Sequence, residues 1–365
     1  MRAMVMAAGL GTRLQPLTSA IPKPMVPIVN RPALHHVLRL TARHGIRDVV
    51  INLHHLPDAI TSYFSDGSEQ RVRLRYSYEP VLLGTAGGVK QNEEFLTVDG
   101  TFLVLSGDSL TDVDLGAMAQ AHHASGASVT IALKEMPEPS AYGVALLDGA
   151  GRIEGFQEKP EPGKELSNLC NCGLYMIEPE VLRRFPAQTF YDFGRQLWPE
   201  MLASGERLGA YLVEGYWNDV GNPEAYRQGN CDAARGLVTA ELEGRTVGPG
   251  VTVGARCHID AETVIEPPVV LGADCRVEKG ARLLGPVVLG DGCIVEGGAQ
   301  ISGSVCWSGL VAGRGVTVMD SIVGRAGRLH GWVCLNACVI GDRCVLGDTG
   351  ELNALSLESG TVLWG

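Results

Sequence analysis

The chain has 365 residues, of which 45% are hydrophobic and 19% charged, a composition typical of a globular protein large enough for two domains. Its formal net charge of -11 argues against wholesale binding to nucleic acid or an anionic membrane, because both need a basic surface. A few local cations would still hold a phosphorylated small molecule. The sequence opens directly into a strand, no apolar run is long enough to predict a membrane span, and the ten cysteines form no CxxC pair. We therefore expect reduced thiols and a cytoplasmic protein.

Short apolar strands alternate with helical stretches up to about residue 235. The first strand is predicted over 1–8, and further strands over 49–53 and 102–105. A helix is predicted between the first two strands, with an apolar face formed by Leu34, Val37 and Leu38. Gly45 stands at its end, where a residue in the left-handed conformation commonly caps a helix. This order predicts an α/β fold with a mostly parallel sheet covered by helices on both faces.

An internal repeat of 18 residues replaces the helical pattern after residue 245. Four columns share this period, those of Gly254, Gly272 and Gly290, of Cys257, Cys275 and Cys293, of Ile259, Val277 and Val295, and of Ile265, Leu283 and Ile301. Six-residue steps within each period predict a left-handed parallel β-helix built from hexapeptide repeats. The register weakens near Trp307 and resumes around 339–342, so we expect an irregular or shifted coil there. The predicted domains are 1–235 and 247–365, joined by a linker at 236–246.

The cysteine column has two interpretations. A ladder of thiols could hold metal, or a small apolar thiol could fill each tight corner of the coil. No histidine column accompanies the cysteines, which favours the packing role.

The loop after the first strand carries glycines and two nearby cations. Gly9 and Gly11 stand at a strand-to-loop junction, where backbone N–H groups can approach phosphate oxygens. The loop is neither a dinucleotide fingerprint, because Leu14 replaces the third glycine, nor a Walker A loop. Lys23 lies between two prolines that restrain the backbone, and with Arg13 it suits a triphosphate. A simple turn and a solvated lysine are the alternatives.

Two aspartates follow apparent strands further along. Asp108 ends an apolar strand at the carboxyl edge of the sheet, where open α/β sheets bind ligands, and Asp219 ends another. Two such carboxylates can bind one Mg²⁺ together with substrate phosphate oxygens. A turn residue is the alternative for Asp108.

These motifs together resemble the signature of the sugar-1-phosphate nucleotidyltransferases. The matching stretches, in family order, are 9–18, Pro22-Lys23-Pro24-Met25, 83–87, 105–108, 142–144, 156–160, 171–175 and 216–221. The resemblance covers residues 1 to about 233, and many members of the family carry a left-handed β-helix after the catalytic domain. It implies a Rossmann-like nucleotidyltransferase sheet, and a reaction in which a nucleoside triphosphate and a sugar 1-phosphate give a nucleotide sugar and pyrophosphate.

The resemblance also implies roles for individual residues. Arg13 and Lys23 are the predicted catalytic cations, and Asp108 and Asp219 the predicted Mg²⁺ ligands. The predicted nucleotide-binding residues are Ala8, Gly9, Gly11, Thr12, Arg13, Glu79, Gly84, Thr85 and Asp108. The predicted sugar-phosphate-binding residues are Tyr142, Gly143, Glu158, Lys159, Asn171 and Gly173. Trp217 either walls the site or belongs to the core.

Two substrate pairs remain open. Glu79 resembles the position that contacts the nucleobase, and a carboxylate there accepts hydrogen bonds from the guanine edge. This favours GTP and mannose 1-phosphate. Val81-Leu82 departs from the Glu-Pro often found there in guanylyltransferases, however, and 191–194 resembles bacterial UTP–glucose-1-phosphate uridylyltransferases. We expect GTP with mannose 1-phosphate first and UTP with glucose 1-phosphate second.

Other functions receive less support. A β-helix also occurs in acyltransferases that use a histidine at a subunit seam, and His258 and His330 are available. A non-catalytic regulatory paralogue is the second rival, although the four residues that catalysis needs are present. We expect the β-helix to mediate homo-oligomerisation.

Overall fold

A computed structural model describes all residues, 1–365, and divides the chain into two compact units. The first comprises Met1–Leu10 and Val37–Asp219, and the second comprises Gly11–His36 and Val220–Gly365. This division differs from the predicted boundary at residue 235. The reason is that residues 11–36 and the helix Pro223–Arg235 group with the repeat region.

The first unit is built on a nine-stranded sheet. Its strands in chain order, β1 to β9, are Ala3–Met6, Asp48–Leu53, Arg73–Tyr78, Phe102–Ser106, Val129–Glu135, Gly143–Leu147, Arg152–Glu158, Leu169–Ile177 and Leu208–Leu212. Their order in the sheet is β3-β2-β1-β4-β8-β5-β9-β7-β6. The strands β3, β2, β1 and β4 pair in parallel, as predicted, whereas β8 is antiparallel to both of its neighbours. The α/β prediction is confirmed, and the sheet is mixed.

Helices follow the strands at the predicted places. The helix of the apolar face, Ala33–Arg43, buries Leu34, Val37 and Leu38, and Gly45 beyond it has a φ of 75°. The other α-helices are Pro57–Phe64, Gly84–Gln91, Glu93–Leu96, Leu115–Ser125, Trp198–Ala203 and Pro223–Arg235. Single turns of 3₁₀ or π-helix occur at Thr12–Leu14, Lys23–Met25, Thr97–Asp99, Pro139–Ala141, Pro179–Arg184 and Phe193–Leu197. None of the helices is both long and apolar enough to span a bilayer.

The second unit is dominated by a parallel β-helix with three sheets. The first sheet contains Arg245–Gly248, Val251–Val253, Val269–Leu271, Val287–Leu289, Val305–Cys306, Ile322–Val323, Val339–Ile340 and Ser356–Leu357. The second contains His258–Ile259, Arg276–Val277, Ile294–Val295, Val311–Ala312, Arg328–His330, Val345–Gly347 and Val362–Trp364. The third contains Val264–Glu266, Arg282–Leu284, Gln300–Ser302, Thr317–Met319, Val333–Asn336 and Gly350–Asn353. Valines, leucines and isoleucines fill its interior because each turn places an aliphatic side chain inward.

The coil continues without interruption through Trp307, where the sequence pattern weakened. Strand partners lie 18 residues apart in the first coils, as in Val269↔Val287, and 17 apart afterwards, as in Val288↔Val305 and Val305↔Ile322. The prediction of a shifted coil is therefore confirmed, because each of the later turns contains 17 residues and not 18.

The cysteine column has a packing explanation. The thiols of Cys257, Cys275 and Cys293 each donate to a backbone carbonyl one coil further on, at 3.0, 3.1 and 3.3 Å. All ten cysteines are free thiols, and no cluster of three or more potential metal ligands occurs in the structure.

Candidate active site

The glycine-containing loop for which nucleotide binding was predicted begins at the carboxyl end of β1. The backbone N–H of Ala7 donates to Asn52 Oδ1 at 2.8 Å, which fixes the chain as it leaves the strand. Ala8 is buried, whereas a Cβ added at Gly9 would meet no atom within 4 Å. The backbone at Gly9 is therefore open to a ligand, as a phosphate-binding loop requires.

Glu79 lies in a buried network rather than at an exposed edge. Its side chain is 1% exposed, Oε1 accepts Asn52 Nδ2 at 2.7 Å, and Oε2 accepts the backbone N–H of Leu83 at 3.1 Å. A Cβ at Gly88 would lie 2.5 Å from Oε1, so the helix also covers the carboxylate. Both oxygens that a bidentate contact with guanine needs are already hydrogen-bonded. The burial of this side chain disfavours the nucleobase contact predicted for Glu79, which stays a prediction.

Gly84 and Thr85 hold a loop that arrives from far along the chain. Gly84 has a φ of 75°, and a Cβ there would lie 2.6 Å from the Tyr191 carbonyl oxygen. The Thr85 hydroxyl donates to Asp192 Oδ2 at 3.0 Å and accepts the N–H of Phe193 at 2.8 Å. The Thr85 side chain is thus engaged in fixing residues 191–193, the segment that resembles the uridylyltransferases.

The two aspartates of the predicted metal site flank a short two-stranded ribbon, Asp108 before its first strand and Asp219 after its second. Leu110–Thr111 forms an antiparallel ribbon with Trp217–Asn218, in which Asn218 faces Leu110. Continuing this register places Asp219 beside Ser109, one residue from Asp108. The Ser106 hydroxyl donates to Asp108 Oδ1 at 2.5 Å. Two carboxylates at one end of a ribbon suit Mg²⁺, which takes its remaining ligands from phosphate and water oxygens.

The predicted sugar-binding residues converge on β8. The Tyr142 hydroxyl donates to Asp219 Oδ1 at 3.4 Å, and the Tyr142 ring meets the Trp217 ring edge-on with centroids 5.5 Å apart. Trp217 is buried and its indole N–H donates to the Cys172 carbonyl at 3.1 Å. Trp217 is therefore both a core residue and a support for Tyr142.

Asn171 and Gly173 shape the neighbouring part of β8. Asn171 Nδ2 donates to the Tyr175 hydroxyl at 2.8 Å, and Asn171 Oδ1 accepts the N–H of Gly173 at 2.9 Å. Gly173 has a φ of 71°, and a Cβ there would lie 3.1 Å from Ser106 Cβ. The glycine lets this bulged strand pass close to the Ser106 side chain that contacts Asp108.

Glu158 and Lys159 complete this group. Glu158 on β7 is the strand partner of Gly143 on β6. The Glu158 carboxylate packs closely against two glycines, because a Cβ added at Gly143 would lie 2.9 Å from Glu158 Oε2 and one added at Gly194 would lie 2.4 Å from it. Burial raises the pKa of Glu158 above its ordinary value, while the nearby Lys159 charge opposes the rise. Lys159 is exposed, holds a φ of 49°, and lies 3.9 Å from Glu158 Oε1. A non-glycine residue in this conformation is strained, which is common where a side chain must be aimed.

The remaining predicted residues belong to the second unit. Gly11 has a φ of 65° and precedes the turn Thr12–Leu14, on which Arg13 is exposed. A Cβ at Gly11 would lie 2.8 Å from Lys23 Cβ, so the glycine loop and Lys23 are adjacent. Lys23 is 9% exposed and begins the turn Lys23–Met25. Gly11 and Lys23 are therefore neighbours within the second unit.

Three residues with a place in these contacts were given no role from the sequence, although two of them lie in the stretches that resemble family motifs. They are Asn52, which links Ala7 to Glu79, Ser106, which contacts Asp108, and Asp192, which holds Thr85. An asparagine inside the apolar run of β2 was the available signal for the first. Nothing in the local sequence links Asp192 with Thr85, because the two are distant in the chain.

Comparison with known proteins establishes the class to which this fold and these residues belong. The model of the nucleotidyl transferase family matches residues 2–236, and the model named bacterial transferase hexapeptide (six repeats) matches residues 268–303. The chain is a member of the nucleotidyl transferase family.

Individual relatives carry narrower names. The chain is 40% identical over 271 residues to a UTP–glucose-1-phosphate uridylyltransferase from Synechocystis sp., covering 70% of this chain and 69% of the relative. It is 34% identical over 236 residues to a mannose-1-phosphate guanylyltransferase from Mycobacterium tuberculosis, covering 64% of this chain and 65% of the relative. The match thus spans about two thirds of each relative.

Solved structures share the fold at low identity. A candidate glucose-1-phosphate thymidylyltransferase from Bacillus anthracis, in complex with sucrose, matches with a TM-score of 0.59 at 22% identity, over 66% of this chain and 98% of that chain. HddC from Yersinia pseudotuberculosis, complexed with GMP-PN, matches with a TM-score of 0.55 at 23% identity. The match covers 63% of this chain and 97% of HddC.

Proposed function

We propose that the protein transfers a nucleotidyl group from a nucleoside triphosphate to a sugar 1-phosphate and releases pyrophosphate. The observation that carries this proposal is the convergence of Tyr142, Asn171, Gly173, Asp108 and Asp219 around β8 in a chain of this family. Tyrosine and asparagine offer hydrogen bonds to sugar hydroxyls, while the carboxylates suit a metal-bound phosphate.

The chemistry assigns a task to each group. A phosphate oxygen of the sugar attacks the α-phosphorus in line, the α–β bridging P–O bond breaks, and pyrophosphate leaves with both electrons of that bond. Arg13 and Lys23 would stabilise the negative charge on the leaving group. Lys159 would hold the sugar phosphate, and Glu158 would accept hydrogen bonds from sugar hydroxyls. Asp108 and Asp219 would hold Mg²⁺, which when bound supplies charge neutralisation at the phosphates.

UTP with glucose 1-phosphate is the substrate pair that we now favour. The case for GTP depended on a free carboxylate at Glu79, and both oxygens of that carboxylate are engaged inside the protein. The 191–193 segment is hydrogen-bonded to Thr85 at the start of the helix Gly84–Gln91, and the Synechocystis relative supports the same pair. This reverses the order expected from the sequence.

GTP with mannose 1-phosphate remains the second candidate, supported by the guanylyltransferase relatives at 34% identity and by the acidic residue at position 79. Acyl transfer and a purely regulatory role have no comparable support.

The test is pyrophosphate release, with Mg²⁺, from each of GTP, UTP, dTTP, ATP and CTP paired with mannose, glucose, galactose and glucosamine 1-phosphates. A strong signal with UTP and glucose 1-phosphate is expected. A strong signal elsewhere would keep the reaction and replace the substrates. Folded protein that releases no pyrophosphate from any pair would refute the proposed function.

A further inference from the structure

The helix Pro223–Arg235 links the segment that carries Arg13 and Lys23 to the β-helix. The carbonyl of Pro27, four residues after Lys23, accepts the Tyr226 hydroxyl at 2.7 Å and Asn230 Nδ2 at 3.3 Å. Asn230 Oδ1 accepts the backbone N–H of Val29 at 2.8 Å. Tyr226 and Asn230 are both fully buried on the helix Pro223–Arg235. This helix therefore fixes the backbone immediately after the cationic turn.

The β-helix in turn holds Tyr226. The indole N–H of Trp307 donates to the Tyr226 hydroxyl at 2.7 Å, and Trp307 is itself buried. The hydroxyl thus accepts from Trp307 and donates to Pro27, so it links the coil to the segment. Asn30 Nδ2 adds a direct contact, donating to the carbonyl of Leu289 at 2.9 Å.

Trp307 interrupts a column of glycines. The backbone N–H groups of Gly254, Gly272, Gly290, Trp307, Gly324 and Gly341 make equivalent hydrogen bonds to the next coil, so these residues occupy one corner of successive turns. A Cβ at Gly290 would lie 2.5 Å from the backbone N of Ser308, which shows how tight this corner is. A tryptophan at a position that glycine fills in the other five coils points to a role for its side chain outside the coil.

The path from Pro27 to Lys23 is short and hydrogen-bonded. The N–H of Val26 donates to the Lys23 carbonyl at 3.1 Å, and the N–H of Ala33 donates to the Val26 carbonyl at 2.9 Å. These bonds connect the backbone at Pro27 with that at Lys23, and we expect a displacement of one to move the other.

We propose that Tyr226 and Trp307 are positioning residues for nucleotidyl transfer, through which the β-helix sets the place of Lys23. The inference rests on the proposed function, in which Lys23 binds the triphosphate. It extends the role of the β-helix from assembly to the construction of the nucleotide-binding segment.

The test uses Tyr226→Phe, which removes the linking hydroxyl and keeps the ring. Tyr76→Phe is the matched control, since the Tyr76 hydroxyl likewise donates to a backbone carbonyl, that of Ser65 at 2.8 Å, within the first unit. Binding of UTP is measured by calorimetry in the full-length protein. Each variant is made both with the wild-type Lys23 and together with Lys23→Ala. Backbone hydrogen exchange of residues 21–30 is measured in parallel, without nucleotide.

We expect Tyr226→Phe to raise the Kd for UTP about tenfold when Lys23 is present. A change of this size corresponds to the loss of one charge-assisted contact between Lys23 and the triphosphate. In the Lys23→Ala background the same change should have no further effect, because the contact it positions is already gone. Exchange at 21–30 should accelerate, and Tyr76→Phe should alter neither quantity. Equal losses in both backgrounds would indicate a purely structural role and overturn the proposal, as would an unchanged Kd or unchanged exchange.

A second variant covers the case in which Tyr226→Phe does not fold. Trp307→Phe replaces the indole by a smaller phenyl ring, which removes the N–H donor and leaves the Tyr226–Pro27 bond possible. Trp332→Phe, the same replacement at a tryptophan 79% exposed, is its control. A Trp307→Phe protein with wild-type UTP binding and wild-type exchange at 21–30 would overturn the proposal. If exchange at 21–30 accelerates in the variants as expected but the wild-type protein makes no nucleotide sugar, the proposed function fails and the positioning of the segment stands.

Discussion

Replacing Glu79 by glutamine separates the structural role of this residue from a role in choosing the nucleobase. Three donors converge on the network, the N–H of Ala7, the N–H of Leu83 and the amide of Asn52. In Glu79→Gln one of the two acceptor oxygens becomes an NH₂ group. If the new amide accepts from Leu83, its NH₂ faces that of Asn52, and turning Asn52 over would set its NH₂ against Ala7. No orientation satisfies all three.

The cost follows from this count. In the variant one buried donor loses its acceptor, which costs about 2 kcal/mol of folding stability. The penalty applies in full because Glu79 is only 1% exposed. A loss of that size lowers the melting temperature of a unit this large by about 4–8 °C. The relative rates with UTP and GTP should stay as in the wild type, because the side chain faces inward.

The assay is a thermal melt together with initial rates on both nucleotides. Glu94→Gln, at an exposed glutamate of the same unit, should melt like the wild type and serves as the control. An unchanged melting temperature combined with a changed UTP-to-GTP ratio would refute the reasoning and restore the contact with the nucleobase that the sequence suggested.

Three further predictions concern the other groups of the site. Asp108→Asn and Asp219→Asn should each lower turnover by at least about 100-fold at an unchanged melting temperature, because each removes a charge from the proposed Mg²⁺ site. Turnover near the wild-type value would exclude that residue as a metal ligand. Because burial raises the pKa of Glu158, its carboxyl becomes neutral, and a poorer acceptor, at a higher pH than an ordinary glutamate. The kcat/KM for sugar 1-phosphate should therefore fall as the pH decreases through that raised pKa, and Glu158→Gln should abolish this acid limb; an identical profile in the variant would exclude the role. Gly11→Ala should lower turnover about tenfold, because the new Cβ would lie 2.8 Å from Lys23 Cβ. Gly126→Ala, also at positive φ but with no atom within 4 Å of the added Cβ, should have nearly normal turnover. Equal rates in the two variants would show that the close approach of Gly11 to Lys23 is unimportant.

The sequence predicted those parts of the fold that periodic patterns encode. The apolar face of Ala33–Arg43 and the columns of the repeat specify a helix and a coil because each depends on residues close together in the chain. The antiparallel pairing of β8 could not be read in this way, since strand direction within a sheet depends on the path of the connections. The sheet was accordingly expected to be more parallel than it is.

The site was predictable in its residues but less so in their roles. Glu79 was expected to contact the nucleobase, and only the packing of Gly88 and Asn52 around it shows that it is buried. The engagement of Trp307 with Tyr226 was likewise invisible, because a break in a repeat reveals where a column changes and not which distant side chain it meets.

A single competition experiment tests the central claim most directly. The protein is incubated with Mg²⁺, equimolar UTP and GTP, and equimolar glucose and mannose 1-phosphates, and the nucleotide sugars are resolved by mass and by chromatography against standards. The account predicts UDP-glucose as the main product, with an equal amount of pyrophosphate. A predominance of GDP-mannose would contradict the substrate assignment drawn from the burial of Glu79, and the absence of any nucleotide sugar from folded protein would contradict the proposed function itself.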